Sequence, residues 1–135
     1  MMGVTLQQVT DALEAILEDR VSEVKWEVSL MGPRFPKETT GYIICDEVSY
    51  EDFTKGNPIA RATFGIQIIC PNPKKEIDIQ TVEKVAMKVR QALAEEYTLD
   101  DWAMDSKVNS VLFGTAPGQK SIGMAILDYT VDYEE

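Results

Sequence analysis

The sequence predicts an α+β domain: a single, mostly antiparallel sheet with two helices packed on one face, in the order α-β-β-β-α-β-β. Three observations carry this expectation. The stretch 59–93 reads as one long alternating strand, a Pro71-Asn72-Pro73 corner and an amphipathic helix opened by Asp78, with Ile79, Val82, Ala86, Val89 and Leu93 along its apolar stripe. Strand-like segments flank that unit on both sides, and a second amphipathic pattern precedes them all. The 135 residues suit one domain with one core, and no internal repeat or low-complexity segment divides them.

The elements follow in chain order. Thr5 with Gln8 three residues on fits a capping box. Leu6, Val9, Leu13, Ile16 and Leu17 then recur at helical spacing, which predicts a helix over about 6–20. Asp11, Glu14 and Glu18 make an acidic stripe on it, either a solvated face or one turned to a partner. Val24, Trp26, Val28 and Leu30 alternate with Lys25, Glu27 and Ser29, the period of a half-buried strand. Gly32, Pro33 and Pro36 break the pattern, so 31–40 is a loop with Phe35 as an exposed aromatic. A second strand spans 42–48. Residues 49–58 form a loop, long for a hairpin. It carries Tyr50 and Phe53 among Glu51 and Asp52, either as a contact surface or with one ring folded back on the core.

The third strand, 59–70, places Ala60, Ala62, Phe64, Ile66, Ile68 and Cys70 on one face and Arg61, Thr63, Gly65 and Gln67 on the other. At ~3.4 Å per residue it spans about 40 Å. Such length predicts that part of it projects or pairs with another chain. The second helix, about 79–97 with Asp78 as cap, lays its stripe on the Phe64/Ile66/Ile68 face. An acidic loop at 99–105 carries Trp102, which either covers the core edge or serves an interface. Strands at 107–113 and 121–133 close the chain around a turn with Gly114 and Gly118. The run Met124-Ala125-Ile126-Leu127 is apolar throughout, which predicts a central strand. The acidic end, 132–135, is expected to fray.

Charge narrows the function. Net charge is −10, and both halves carry it: 11 acids and 6 bases in 1–70, 12 and 7 in 71–135. Phosphates repel such a chain at long range, which argues against nucleic-acid binding. The most basic patch, Lys84, Lys88 and Arg90, is too small to reverse that. No apolar run approaches the ~18 residues of a membrane span, and the start, Met1-Met2-Gly3-Val4, lacks the pattern of a secretory signal. Cys45 and Cys70 sit in separate predicted strands without a C-x-x-C motif, as free thiols in a reducing compartment would.

Catalytic chemistry is not in evidence. The chain has no histidine, the commonest general base and zinc ligand. Ser121 beside Lys120 is the one adjacent Ser–Lys pair, and it lies at a hairpin. Asp46 and Glu47 are neighbours on a strand and are expected on opposite faces, unable to share a proton or metal. Asp100, Asp101 and Asp105 lack the spacing and glycine of an EF-hand loop. Gly114-x-x-x-Gly118 has no Gly-Lys-Ser/Thr after it and is not a P-loop. No catalytic residue, cofactor or metal site is expected.

The order and size of the elements resemble the tail terminator, or tail-completion, proteins of long-tailed bacteriophages and prophages. The resemblance rests on 5–17, the strand 60–70, the helix 78–93 and the final strand 123–133, and it covers nearly the whole chain. It implies a structural role: a ring, typically a hexamer, at the head-proximal end of the tail tube. Such a ring stops tube polymerisation and presents the surface that joins the head, while DNA passes through the hole. The implied partners are further copies of the chain, the tail tube protein and a head-completion or connector protein. The implied location is the virion tail, after assembly in the bacterial cytoplasm, with no membrane involved. An acidic subunit repeated around a ring makes an acidic conduit in which DNA slides without sticking. Candidate interface residues are Phe35, Tyr50, Phe53, Arg61, Thr63 and Trp102. Candidate conduit or loop acids are Glu47, Glu51 and Asp52. The alternatives are another head-tail connector, neck or tail component, or a small ferredoxin-like ligand-binding or regulatory domain.

Overall fold

The computed structural model describes residues 3–51, 58–71, 79–116 and 119–135. The expected Asp78 cap, the Asn72-Pro73 corner, Asp52 and Phe53 lie outside them. The elements are α1 (Leu6–Arg20), β1 (Lys25–Glu27), β2 (Thr40–Tyr50), β3 (Ile59–Pro71), α2 (Ile79–Glu95), β4 (Asp105–Ala116) and β5 (Gln119–Glu134). The five strands form one sheet in the order β1-β2-β3-β5-β4. Only β1 and β2 pair in parallel; the other neighbours are antiparallel. The predicted α+β class and element order are those observed.

Local signals explain where α1 starts. The Thr5 hydroxyl accepts from the Gln8 amide at 3.2 Å, and the Thr5 amide donates to Gln8 Oε1 at 3.0 Å. Two otherwise unpaired helix-start donors are thereby satisfied. Val9, Leu13 and Leu17 are fully buried. They join Val82, Ala86, Val89 and Leu93 of α2 in one cluster with Ala60, Ala62, Phe64, Ile66 and Ile68 of β3. Both helices therefore cover the same sheet face. Each large apolar side chain buried there contributes about 1.5–3 kcal/mol.

Three expectations are corrected. Alternation from Val24 to Leu30 predicted a longer first strand, but β1 stops at Glu27 and leaves Val28 46% and Leu30 76% exposed. The chain must cross over to return in parallel beside β1, which takes about a dozen residues, and Gly32, Pro33 and Pro36 turn it away from the sheet. The long third strand neither projects nor offers an edge. β3 is central, paired with β2 from Ala60 to Ile69 and with β5 from Ile59 to Pro71. Its length matches two long neighbours. The C-terminus does not fray: Tyr133 is buried, the Val4 amide donates to the Glu134 carbonyl at 3.1 Å, and the Glu135 amide to that of Pro58 at 3.1 Å.

Two buried tyrosines make testable features of the core. The Tyr129 hydroxyl has no formed hydrogen bond. Ser106 lies near it, but its hydroxyl gives its one proton to the Tyr97 carbonyl at 2.7 Å and has none to offer the phenol oxygen. An unsatisfied buried hydroxyl is costly, so Tyr129→Phe is expected to raise unfolding free energy by up to about 1 kcal/mol, read from urea unfolding. Burial also pushes the phenols of Tyr129 and Tyr133 up to about 12, helped at Tyr133 by Glu135. The folded pKa lies above the unfolded value of about 10. Stability is therefore flat with respect to these groups below that pH and falls as pH rises from about 10 to about 12. Thermal midpoints against pH, with phenolate absorbance recorded alongside, check this.

Candidate functional site

Period-two alternation assigns one face of each strand to the helices, and among the described residues no helix covers the other. On that open face the register aligns rows of side chains. Ser49, Arg61, Asp132 and Asp105 form one row; Glu47, Thr63, Thr130 and Lys107 form the next. The Arg61 guanidinium grips Asp132 with two bonds, Nε to Oδ1 at 2.7 Å and Nη2 to Oδ2 at 3.0 Å. This pairing holds the guanidinium pKa above its ordinary value. Arg61, Lys107, Asn109, Thr130 and Asp132 line a polar depression of about 300 Å³.

A β-bulge reshapes this face. The β2–β3 register shifts between Cys45 and Glu47. Glu47 sits opposite Thr63, and a Cβ on Gly65 would come within 3.2 Å of Asp46 Oδ2. Asp46 and Glu47 thus share the open face, which overturns the expectation that they point apart. A bulge lets two successive residues oppose one partner. A second register shift in β4, between Val108 and Ser110, falls at Asn109, whose amide donates to Thr130 Oγ1 at 3.3 Å. Both bulges leave a trace in the sequence: the covered positions run Ile43, Cys45, Val48 and Val108, Val111, with an interval of three where two is the rule.

The other end of the open face is apolar. Tyr42, Ile69 and Ile122 form a small second cluster against which Met31, Phe35 and Met124 pack. Phe35, expected to be exposed, is half-buried there. Next to this cluster Ile126 is 41% and Leu112 66% exposed. The apolar Met124–Leu127 run therefore marks a central strand whose second face is packed at Met124 and exposed at Ile126.

The remaining candidates lie elsewhere. Tyr50 is exposed, and its hydroxyl is held by the Glu135 carboxylate, which raises its pKa. Glu51 is exposed, its amide donating to the Ile59 carbonyl at 3.1 Å. Trp102 is on the helix side, half-buried against the core and lining a groove of about 490 Å³ with Gln8, Asp11, Ile16, Asp19 and Asp100. Leu99, Asp100 and Asp101 there have φ of 47°, 57° and 68°. Three successive left-handed residues store strain, and the fully buried Leu99 anchors the turn. On α1, burial and then Glu18 and Asp11 hold the Glu14 carboxyl above its usual range. Glu47, Arg61 and Thr63 are thus brought together; Phe35, Tyr50, Glu51 and Trp102 are not part of that group. Lys107, Asp132 and the exposed Leu112 escaped the sequence reading because only the β5–β4 register places them.

Among the described residues, no group of three or more His, Cys, Asp or Glu is placed to hold a metal ion, and no helix is long and apolar enough to cross a membrane. Cys45 and Cys70 are free, and burial raises both thiol pKa values. Among the described residues the sheet is unpaired along the outer side of β4, along the outer side of the three-residue β1, and along the part of β2 beyond Tyr42, where β1 has ended.

Neither the protein-family models nor the curated proteins give a match to this chain. Among solved structures, it is similar to a chain in the virion of a native gene transfer agent (GTA) particle. The two are 16% identical, superpose with a TM-score of 0.56, and match over 98% of this chain and 96% of that one. At that identity the likeness is one of fold.

Proposed function

We propose that this chain is a structural protein of a phage-type virion, a tail terminator that caps the tail tube as a ring, hexameric by the resemblance above, and presents the head-joining surface. The observation that carries the reading is the end-to-end likeness of fold to a chain of a virion particle, with almost no residue of either left over. The charge supports it. A subunit of net charge −10, whose open sheet face carries Asp46, Glu47 and Asp128 beside one lysine, Lys107, and the Arg61–Asp132 ion pair, suits a surface past which DNA must move without sticking. Its partners are further copies of itself, the tail tube protein and a head-completion or connector protein, and its place is the virion tail after assembly in the bacterial cytoplasm. It has no enzymatic role in this reading. Molar mass in solution over a range of concentrations, together with negative-stain images alone and with tail tubes, tests the proposal. Closed rings, free or seated on tube ends, are expected; a strict monomer that never binds a tube end contradicts it.

A further inference from the structure

We infer that copies of this chain join edge to edge, the outer edge of β4 in one copy pairing antiparallel with the 43–50 edge of β2 in the next. The inference deepens the ring reading and rests on it. The order β1-β2-β3-β5-β4 sets the two edges on opposite sides of the sheet. Among the described residues no strand pairs with the outer side of β4, and β1 covers β2 only from Thr40 to Tyr42. A row of unpaired N–H and C=O groups is a template for another strand. Two different edges of one subunit, meeting head to tail, make a heterologous contact that closes into a ring when the rotation allows.

Strand polarity permits this. β2, β3, β5 and β4 are successively antiparallel, so β4 runs opposite to β2. A rotation about an axis along the strands preserves direction. β4 therefore meets the next copy's β2 antiparallel, the slightly more stable pairing.

Side chains match at one level. The row Glu47, Thr63, Thr130, Lys107 ends in a carboxylate at one edge and an ammonium at the other, both on the open face. Neither forms an ion pair among the described residues. Acid meets base when the edges join. Level register, with Lys107 opposite the next copy's Glu47, keeps open-face residues opposite open-face residues.

Hydrogen exchange on the full chain, monomeric and in rings formed alone or on tube ends, tests this. The outward-pointing amides of β4 and of 43–50, those not already bonded to β5 and β3, are expected to exchange at least about 100-fold more slowly in the ring, with α1 and α2 unchanged. Lys107→Glu, an exposed site, is expected to weaken ring formation about tenfold, and adding Glu47→Lys to restore it. Closed rings whose β4 amides exchange as in the monomer overturn the edge pairing alone. So does a β4–β4 dimer that grows no further. Failure to form any ring, free or on tubes, overturns both this and the reading it rests on.

Discussion

Phe64→Ala is expected to lower the unfolding free energy by about 3–5 kcal/mol. Phe64 is fully buried at the centre of β3, opposite Tyr129 on β5, with ring centroids 6.4 Å apart at a tilt of 42°. β3 has a strand on either side, and the helices cover this face. The surroundings are held from three directions and cannot collapse into the space left behind. A domain of this kind has about 5–15 kcal/mol in total, so one truncation removes a large share of it. Urea unfolding followed by circular dichroism measures the change. A loss below about 1 kcal/mol, the size of a surface substitution, would mean the helices do not seal this face.

The second large effect is Gly41→Ala, expected to cost about 3 kcal/mol by overpacking. Gly41 pairs with Trp26 across the parallel β1–β2 ladder. A Cβ there would overlap ring atoms Cζ3 and Cε3 of Trp26 and sit 2.9 Å from Cη2. The ring cannot swing aside freely, because its Nε1–H donates to the Val21 carbonyl at 3.1 Å and it is 93% buried by its 7% exposure. Adding a methyl must either expel the indole or part β1 from β2. Trp26→Leu in the Gly41→Ala background is expected to recover part of the loss, with a coupling of about 1 kcal/mol or more in the double-mutant cycle. Additive losses would place the strain elsewhere.

These two positions show what is legible in a chain like this and what is not. Phe64 could be read as core from alternation alone, because period two is a local property. The Thr5–Gln8 box and the apolar spacing behind it likewise locate α1. Gly41 carries no such signal: its reason is the indole of a residue fifteen positions earlier in the chain, on another strand. Strand neighbours are non-local in the same way. The length of β3 suggested an overhang, yet it reflects 11-residue and 16-residue partners on its two sides. Among the described residues the open edges fall instead to β4, to the short β1 and to β2 past that short cover.

The candidate site divides along the same line. Arg61 and Thr63 share a face by alternation, and Glu47 joins them once the bulge at Asp46 is taken into account. Asp132, which grips Arg61, and Lys107, which ends the Glu47 row, needed the pairing of β3 with β5 and of β5 with β4. Trp102 and Phe35 looked like contact residues because aromatics in polar loops are ambiguous. Burial against the core claims one, and the small Tyr42–Ile69–Ile122 cluster claims part of the other.

The central claim is that this chain ends a tail tube. Electron microscopy of tails assembled with and without it tests that claim most directly. Tubes of uniform length, each closed at one end by a ring, are expected in its presence, and over-long, uncapped tubes in its absence. Tubes of the same length with the same ends in both preparations would contradict it.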